Sequence, residues 1–169
     1  NVWIPSHLYP QVLPSYQVGR NIMSEKGYYD DAIVKLSPDG EILFQKSVSQ
    51  IFIDNGLEYL LFALAEYDND PIHLNDIQPV DFDGEFWKKG DVFLSLRHQS
   101  MILLYRPSTN KIIWKGTGPF FHQHDVDILN EYKISIFNNN SKNFVSGDVV
   151  DGHNEVIVYD FKKNKYSYH

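Results

Sequence analysis

The chain has no cysteine. Disulfides, thiolate metal sites and cysteine nucleophiles are thereby excluded, while cytoplasm and periplasm both stay open. No apolar run reaches the length of a membrane span. Basic charge is scarce: Lys and Arg total 15 against 22 Asp and Glu, a formal net charge of −7. A general nucleic-acid binder needs a basic face for the phosphates, so that class is excluded as well. The only basic cluster, 162-KKNK-165, reads as a solvated turn. No secretory signal is visible and the chain begins at Asn1, which reads as a processed or trimmed chain. What is there is 169 residues, 43% hydrophobic and 15% aromatic, enough to fold around one globular core.

Three segments share one plan: 32-AIVKLSPDGEILFQK-46, 102-ILLYRPSTNKIIWK-115 and 156-VIVYDFKKNKYSYH-169. In each, an aliphatic strand enters a polar turn and a second strand follows, marked by Phe44, Trp114, or Tyr166 and Tyr168. Gly40, Asn110 and Asn164 close the turns, and Gly and Asn tolerate the left-handed backbone such turns require. A further strand type recurs at 91-DVFLSLRH-98 and 132-YKISIFNN-139. The order 73–80, 91–98, 101–106, 111–115 then repeats as 122–129, 132–138, 155–160, 164–168. Four antiparallel strands in roughly 50 residues, repeated, are the mark of a β-propeller; a β-sandwich is the alternative.

The expected fold is therefore all-β, with about three four-stranded blades in one partial propeller domain over 1–169. A blade hairpin at 28–47 and blades at 73–116 and 120–169 make it up. Residues 1–27, with Pro5, Pro10 and Pro14, form an irregular lead-in with room for a short edge strand. Residues 48–66 carry Leu57, Leu60, Leu61 and Leu64 at helical spacing, which predicts a helical insertion broken near Asn55-Gly56. Its polar face lacks Lys and Arg, which argues against a membrane-surface role. Open blade edges offer a route to association.

Two short stretches stand out. In 73-HLNDIQPV-80 and 122-HQHDVDIL-129, His73 aligns with His122, Asn75 with His124 and Asp76 with Asp125. Strand alternation puts His73 and Asn75 on one face, and His122 and His124 on one face. Asp76 and Asp125 point the other way, toward backbone or a neighbouring blade. The imidazoles and the amide either line a pocket or stabilise a channel wall through hydrogen bonds. Arg97 lies among Phe93, Leu94, Leu96 and Met101 and needs a partner. Asp76, Asp91 or Asp125 would make it structural, whereas an anionic ligand in its guanidinium fork would make it functional. Arg106, before Pro107, reads as exposed.

A zinc site from His122, His124 and His73 competes, but Asn75 is a poor zinc ligand and the third histidine would come from another blade. No metal and no cofactor is expected. The run 66-EYDNDP-71 lacks the glycine and distal Glu of a calcium loop and reads as a solvated linker. Asn139-Asn140-Ser141 is a formal glycosylation sequon of little weight. His7, His153 and His169, in irregular or terminal positions, are assigned nothing.

These residues carry a resemblance. The stretches 73-HLN-75, 95-SLRHQ-99 and 123-QHD-125 followed by 134-ISIFNN-139 resemble the arylsulfotransferase family, and 31-DAIVKLSPDGEILF-44 extends the match upstream. The resemblance implies a six-bladed propeller that moves a sulfuryl group from an aryl sulfate to a phenol without a nucleotide donor. It implies His124 as the nucleophile, with His73, Asn75 and Arg97 gripping the sulfuryl oxygens and handling the phenol proton. It also implies a periplasmic or secreted protein. The histidine that the family takes from an earlier blade has no counterpart: His7 lies in the lead-in, and Tyr29 stands where relatives often carry histidine. The competing reading is a non-catalytic propeller module that binds a carbohydrate, a peptide or a partner protein.

Overall fold

The computed structural model describes residues 1–11, 29–62, 70–144, 147–150 and 152–168. The chain divides into two compact units, Asn1–Leu74 and Asn75–His169.

The first unit holds a three-stranded antiparallel sheet in the order β1 (Val2–His7), β2 (Asp31–Leu36), β3 (Ile42–Ser47). The lead-in thus contains an edge strand, paired with β2 from Val2↔Leu36 to His7↔Asp31. Pro5 lies inside it, which an edge strand tolerates because one flank needs no N–H donor. At the β2–β3 turn, the Ser37 hydroxyl accepts from the amides of Asp39 and Glu41, and Gly40 takes φ +84°.

The helical insertion follows as α1 (Val48–Asp54) and α2 (Tyr59–Phe62). Ser47 caps α1 by accepting from the Gln50 amide at 3.0 Å, and donates to buried Asp30 at 2.6 Å. Asn55 ends α1, and Gly56 follows at φ +71°, so the break falls where the sequence places it. Val48, Ile51, Phe52, Leu57 and Leu61 are buried; Leu60 is half-buried and Leu64 lies outside the described residues.

The second unit carries two four-stranded antiparallel sheets. One runs β4 (Leu74–Pro79), β5 (Val92–Leu96), β6 (Met101–Arg106), β7 (Lys111–Thr117). The other runs β8 (Asp125–Asn130), β9 (Lys133–Asn138), β12 (Glu155–Asp160), β13 (Lys165–Tyr168). Between β9 and β12 the chain inserts a separate hairpin, β10 (Ser141–Phe144) with β11 (Gly147–Val150), that the sequence pattern does not announce. Each four-stranded sheet is a meander, and no strand crosses from one sheet to the other among the described residues. That is unlike the Greek-key connections of a sandwich.

The two sheets of this unit share one core. Phe93, Ile102 and Leu104 of the first meet Val126, Ile134, Ile136, Ile157 and Tyr159 of the second, with Trp87 and Phe120 sealing it. Each such side chain contributes about 1.5–3 kcal/mol by leaving water. The hairpin aromatics join the layer: Trp114 lies 4.9 Å from both Tyr159 and Phe161, and Tyr166 lies 4.7 Å from Tyr159, centroid to centroid. Gly116 makes room for them, since a Cβ there would sit 2.5 Å from the Trp114 ring.

The repeat also extends to side chains. Asn110 and Asn164 take φ +54° and +49° at the two hairpin turns. Each accepts a hydrogen bond from the tyrosine five residues earlier, Tyr105 and Tyr159 respectively. One ion pair recurs with its charges exchanged. Asp91 and Arg106 flank the β5–β6 pair, where Lys133 and Asp160 flank the β9–β12 pair. Arg106 is therefore not simply exposed. Its Nε and Nη2 each lie 2.7 Å from an oxygen of the buried Asp91 carboxylate.

Candidate active site

Strand alternation does not reach back to the paired histidines. β4 begins at Leu74 and β8 at Asp125. His73 (φ +56°) and His122 (φ +49°) both adopt the left-handed backbone just before their strands. The two motifs do share one structural role, but as an abrupt entry into a strand rather than as its first residues. A left-handed residue turns the chain, so the facing of His122 and His124 follows from the loop and not from a period of two.

In the first unit, His73 Nδ1 is hydrogen-bonded to the Asp70 carboxylate, and the ring stays partly exposed. The Leu74 amide donates to Asp31 at 3.0 Å. Asp31 also holds His7 Nε2 at 3.1 Å, and the His7 ring lies 5.1 Å from Tyr29. His7 is thus the last residue of a strand and not part of an irregular segment. Burial pushes the Asp31 carboxyl above its ordinary range, against the pull of the Leu74 amide. Residues 66–69 of the acidic run lie outside the described residues, as does His169.

Asn75, Arg97 and His124 belong to the second unit. Four consecutive residues, 121–124, are tied down there one by one. The Phe121 amide donates to Asn138 Oδ1 at 2.9 Å, and the His122 amide to Ser100 Oγ at 3.2 Å. The His124 amide donates to the Phe137 carbonyl at 3.0 Å. Gln123 is wholly buried. Its Nε2 reaches into the β5–β6 hairpin and meets Ser95 Oγ at 3.3 Å, the Leu96 carbonyl at 3.1 Å and the Met101 carbonyl at 3.0 Å. Its own carbonyl accepts from Asn75 Nδ2 at 3.1 Å. The imidazole of His124 is exposed, so a fixed backbone presents an accessible ring.

Arg97 lies just beyond β5, in the turn 97–100, rather than inside the strand. Its Nη1 donates to His98 Nε2 at 2.8 Å, which makes that nitrogen the acceptor of a neutral imidazole. The His98 ring lies 6.0 Å from that of His122. Of the carboxylates considered as Arg97 partners, Asp91 is taken by Arg106. The Asp76 Oδ2 accepts from the Val126 amide at 3.3 Å. Burial, and then the charge of Asp125, push the Asp76 carboxyl up to about 6.

Sequence reasoning passed over Gln123 as a functional residue. In the sequence it is one polar residue among several in 119–129, and what sets it apart is burial, because a buried polar side chain has to find partners. The motif spacing now has a physical meaning, because Ser95 of the Ser-x-Arg-His-Gln stretch and Gln123 of the Gln-His-Asp stretch bond to one another.

No helix among the described residues is long and apolar enough to cross a membrane. Comparison with the curated proteins returned no match. Among protein families, the one described as Arylsulfotransferase (ASST) matches residues 1–169.

Proposed function

The chain belongs to the arylsulfotransferase family, and from that premise we propose that it moves a sulfuryl group from an aryl sulfate to a phenol through a histidine-bound intermediate. His124 is the nucleophile. A ring nitrogen of its neutral imidazole attacks sulfur while the S–O bond to the aryl group breaks and the phenoxide departs. A second phenol then attacks the same sulfur, the N–S bond breaks, and the imidazole is restored. Splitting one displacement into two lowers each barrier.

Arg97 and the second N–H of the Asn75 amide offset the charge on the sulfuryl oxygens. His73 supplies the proton to the leaving phenoxide and takes one from the incoming phenol, the general acid–base role that an imidazole can play. In this reading the sheets are propeller blades and the protein works in the periplasm or outside the cell.

The observation that carries the proposal is the presentation of His124: an exposed imidazole on a segment fixed at four successive residues, beside the Asn75 amide. Fixed geometry of this kind is what makes a positioned nucleophile effective. The test is His124→Asn in the full chain, assayed with a chromogenic aryl sulfate and a phenol acceptor. Phenol-dependent release of the chromophore and trapping of a sulfurylated protein are both expected to vanish while the melting temperature holds. Retained turnover would move the nucleophile elsewhere. Binding without turnover in the unmodified chain would favour the non-catalytic module.

A further inference from the structure

We infer that Gln123 is the positioning residue of this site, holding Asn75, the Arg97 turn and His124 in one frame; the inference rests on the sulfuryl-transfer reading above. Gln123 touches each of the three through a different part of itself. Its side-chain amide grips both ends of the Arg97–Ser100 turn, at the carbonyls of Leu96 and Met101, and also the Ser95 hydroxyl. Its main-chain carbonyl receives the Asn75 amide. Its C-terminal neighbour is His124, whose amide is anchored on Phe137.

The arrangement is costly unless it is required. A wholly buried primary amide satisfies three acceptors with two hydrogens, and its own Oε1 meets no hydrogen-bond donor among the described residues. An apolar side chain of equal length would avoid that unsatisfied oxygen, but it would leave three acceptors buried and release the turn. The carbonyl of Gln123 cannot move without carrying the Asn75 amide with it. The three candidate residues of this unit come from segments far apart in the chain, and Gln123 is bonded to two of those segments and contiguous with the third. A group that acts through others in this way affects the chemical step by its geometry, where a displacement of about 1 Å costs up to about a hundredfold.

The test uses the full chain with two replacements, Gln123→Met and Gln123→Glu. Methionine keeps the length and removes the donors; glutamic acid keeps one donor only while protonated. Three readouts are taken: kcat and KM for a chromogenic aryl sulfate, the melting temperature, and solvent exchange of the Asn75 side-chain amide by NMR. The expected result is a ten- to hundredfold loss in kcat with KM within about twofold, and faster exchange at Asn75 in both variants. Gln123→Glu should regain part of its kcat as the pH falls, and Gln123→Met should not.

Variants that melt lower yet keep kcat per folded molecule, with Asn75 exchange unchanged, would overturn the proposal and leave Gln123 a purely structural amide. If the unmodified chain transfers no sulfuryl group, the functional reading fails separately. Asn75 exchange then still decides whether Gln123 holds the frame. If neither variant folds, exchange in the unmodified chain decides: slow exchange at both Gln123 Nε2 and Asn75 Nδ2 supports the frame, and fast exchange at both overturns it.

Discussion

Asp76 is a carboxyl that the fold makes uncomfortable, and replacing it should stabilise the protein. Its folded-state value is about 6 against an ordinary 3.8, raised first by burial and next by the charge of Asp125. The native chain therefore binds a proton, between about pH 4 and 6, that the unfolded chain has released. Whatever stability Asp76 contributes is fully present below about pH 4 and falls as the pH rises through 6. A shift of about two units corresponds to at most about 3 kcal/mol. Asp76 is only half-buried and Asp125 is exposed, so solvent screening reduces this to about 1–2 kcal/mol.

Asp76→Asn keeps the shape, leaves an oxygen to accept from the Val126 amide and removes the charge. The variant should unfold at higher urea than the parent at pH 7, with a melting temperature higher by about 2–8 °C for a chain of this size. At pH 4 and below the two should coincide. Urea titrations of both proteins at pH 3.5, 5, 6 and 7.5 measure the difference. A variant less stable than the parent at pH 7.5, or a difference that does not shrink toward low pH, would refute the reasoning. Asp125→Asn should give the same trend at smaller size, because burial is the larger cause.

Other outcomes follow from packing and pairing. Gly116→Ala would place a methyl 2.5 Å from Trp114 Cη2 and 2.7 Å from the Tyr166 hydroxyl. Overpacking of that kind should cost about 1–3 kcal/mol, read as a lower urea midpoint at unchanged slope. Arg106→Ala would leave the buried Asp91 carboxylate, among the described residues, with the Lys88 amide at 2.8 Å. It should cost about 3 kcal/mol by chemical denaturation. Arg106→Lys should recover only part of this, since an ammonium cannot reproduce the two-pronged fork.

The repeat was legible because strands and hairpins write themselves locally. Alternating side chains and turn residues that accept a left-handed backbone are properties of a few neighbouring residues. They place β4 to β7, and β8, β9, β12 and β13, close to where the structure has them. Gly40, Asn110 and Asn164 are all left-handed for the same local reason, and the break at Asn55-Gly56 is equally local. The family resemblance was legible too, because its motifs are short strings in a fixed order, and the family matches residues 1–169.

Three matters were decided only in three dimensions. The left-handed turns at His73 and His122 break the alternation that the sequence alone suggests, because histidine carries no strong signal for that backbone. Arg106 rather than Arg97 closes on Asp91, a choice made by the β5–β6 register that sets Asp91 opposite Arg106. And Gln123, unremarkable in a string of letters, becomes the tie between the Arg97 turn and Asn75 once residues 28 positions from Ser95 and 48 from Asn75 are brought within hydrogen-bond reach. A sequence fixes which residues prefer a strand or a turn through interactions a few residues long. Which distant polar groups must satisfy one another when water is excluded depends on the packing of whole sheets, and that is settled by the tertiary fold.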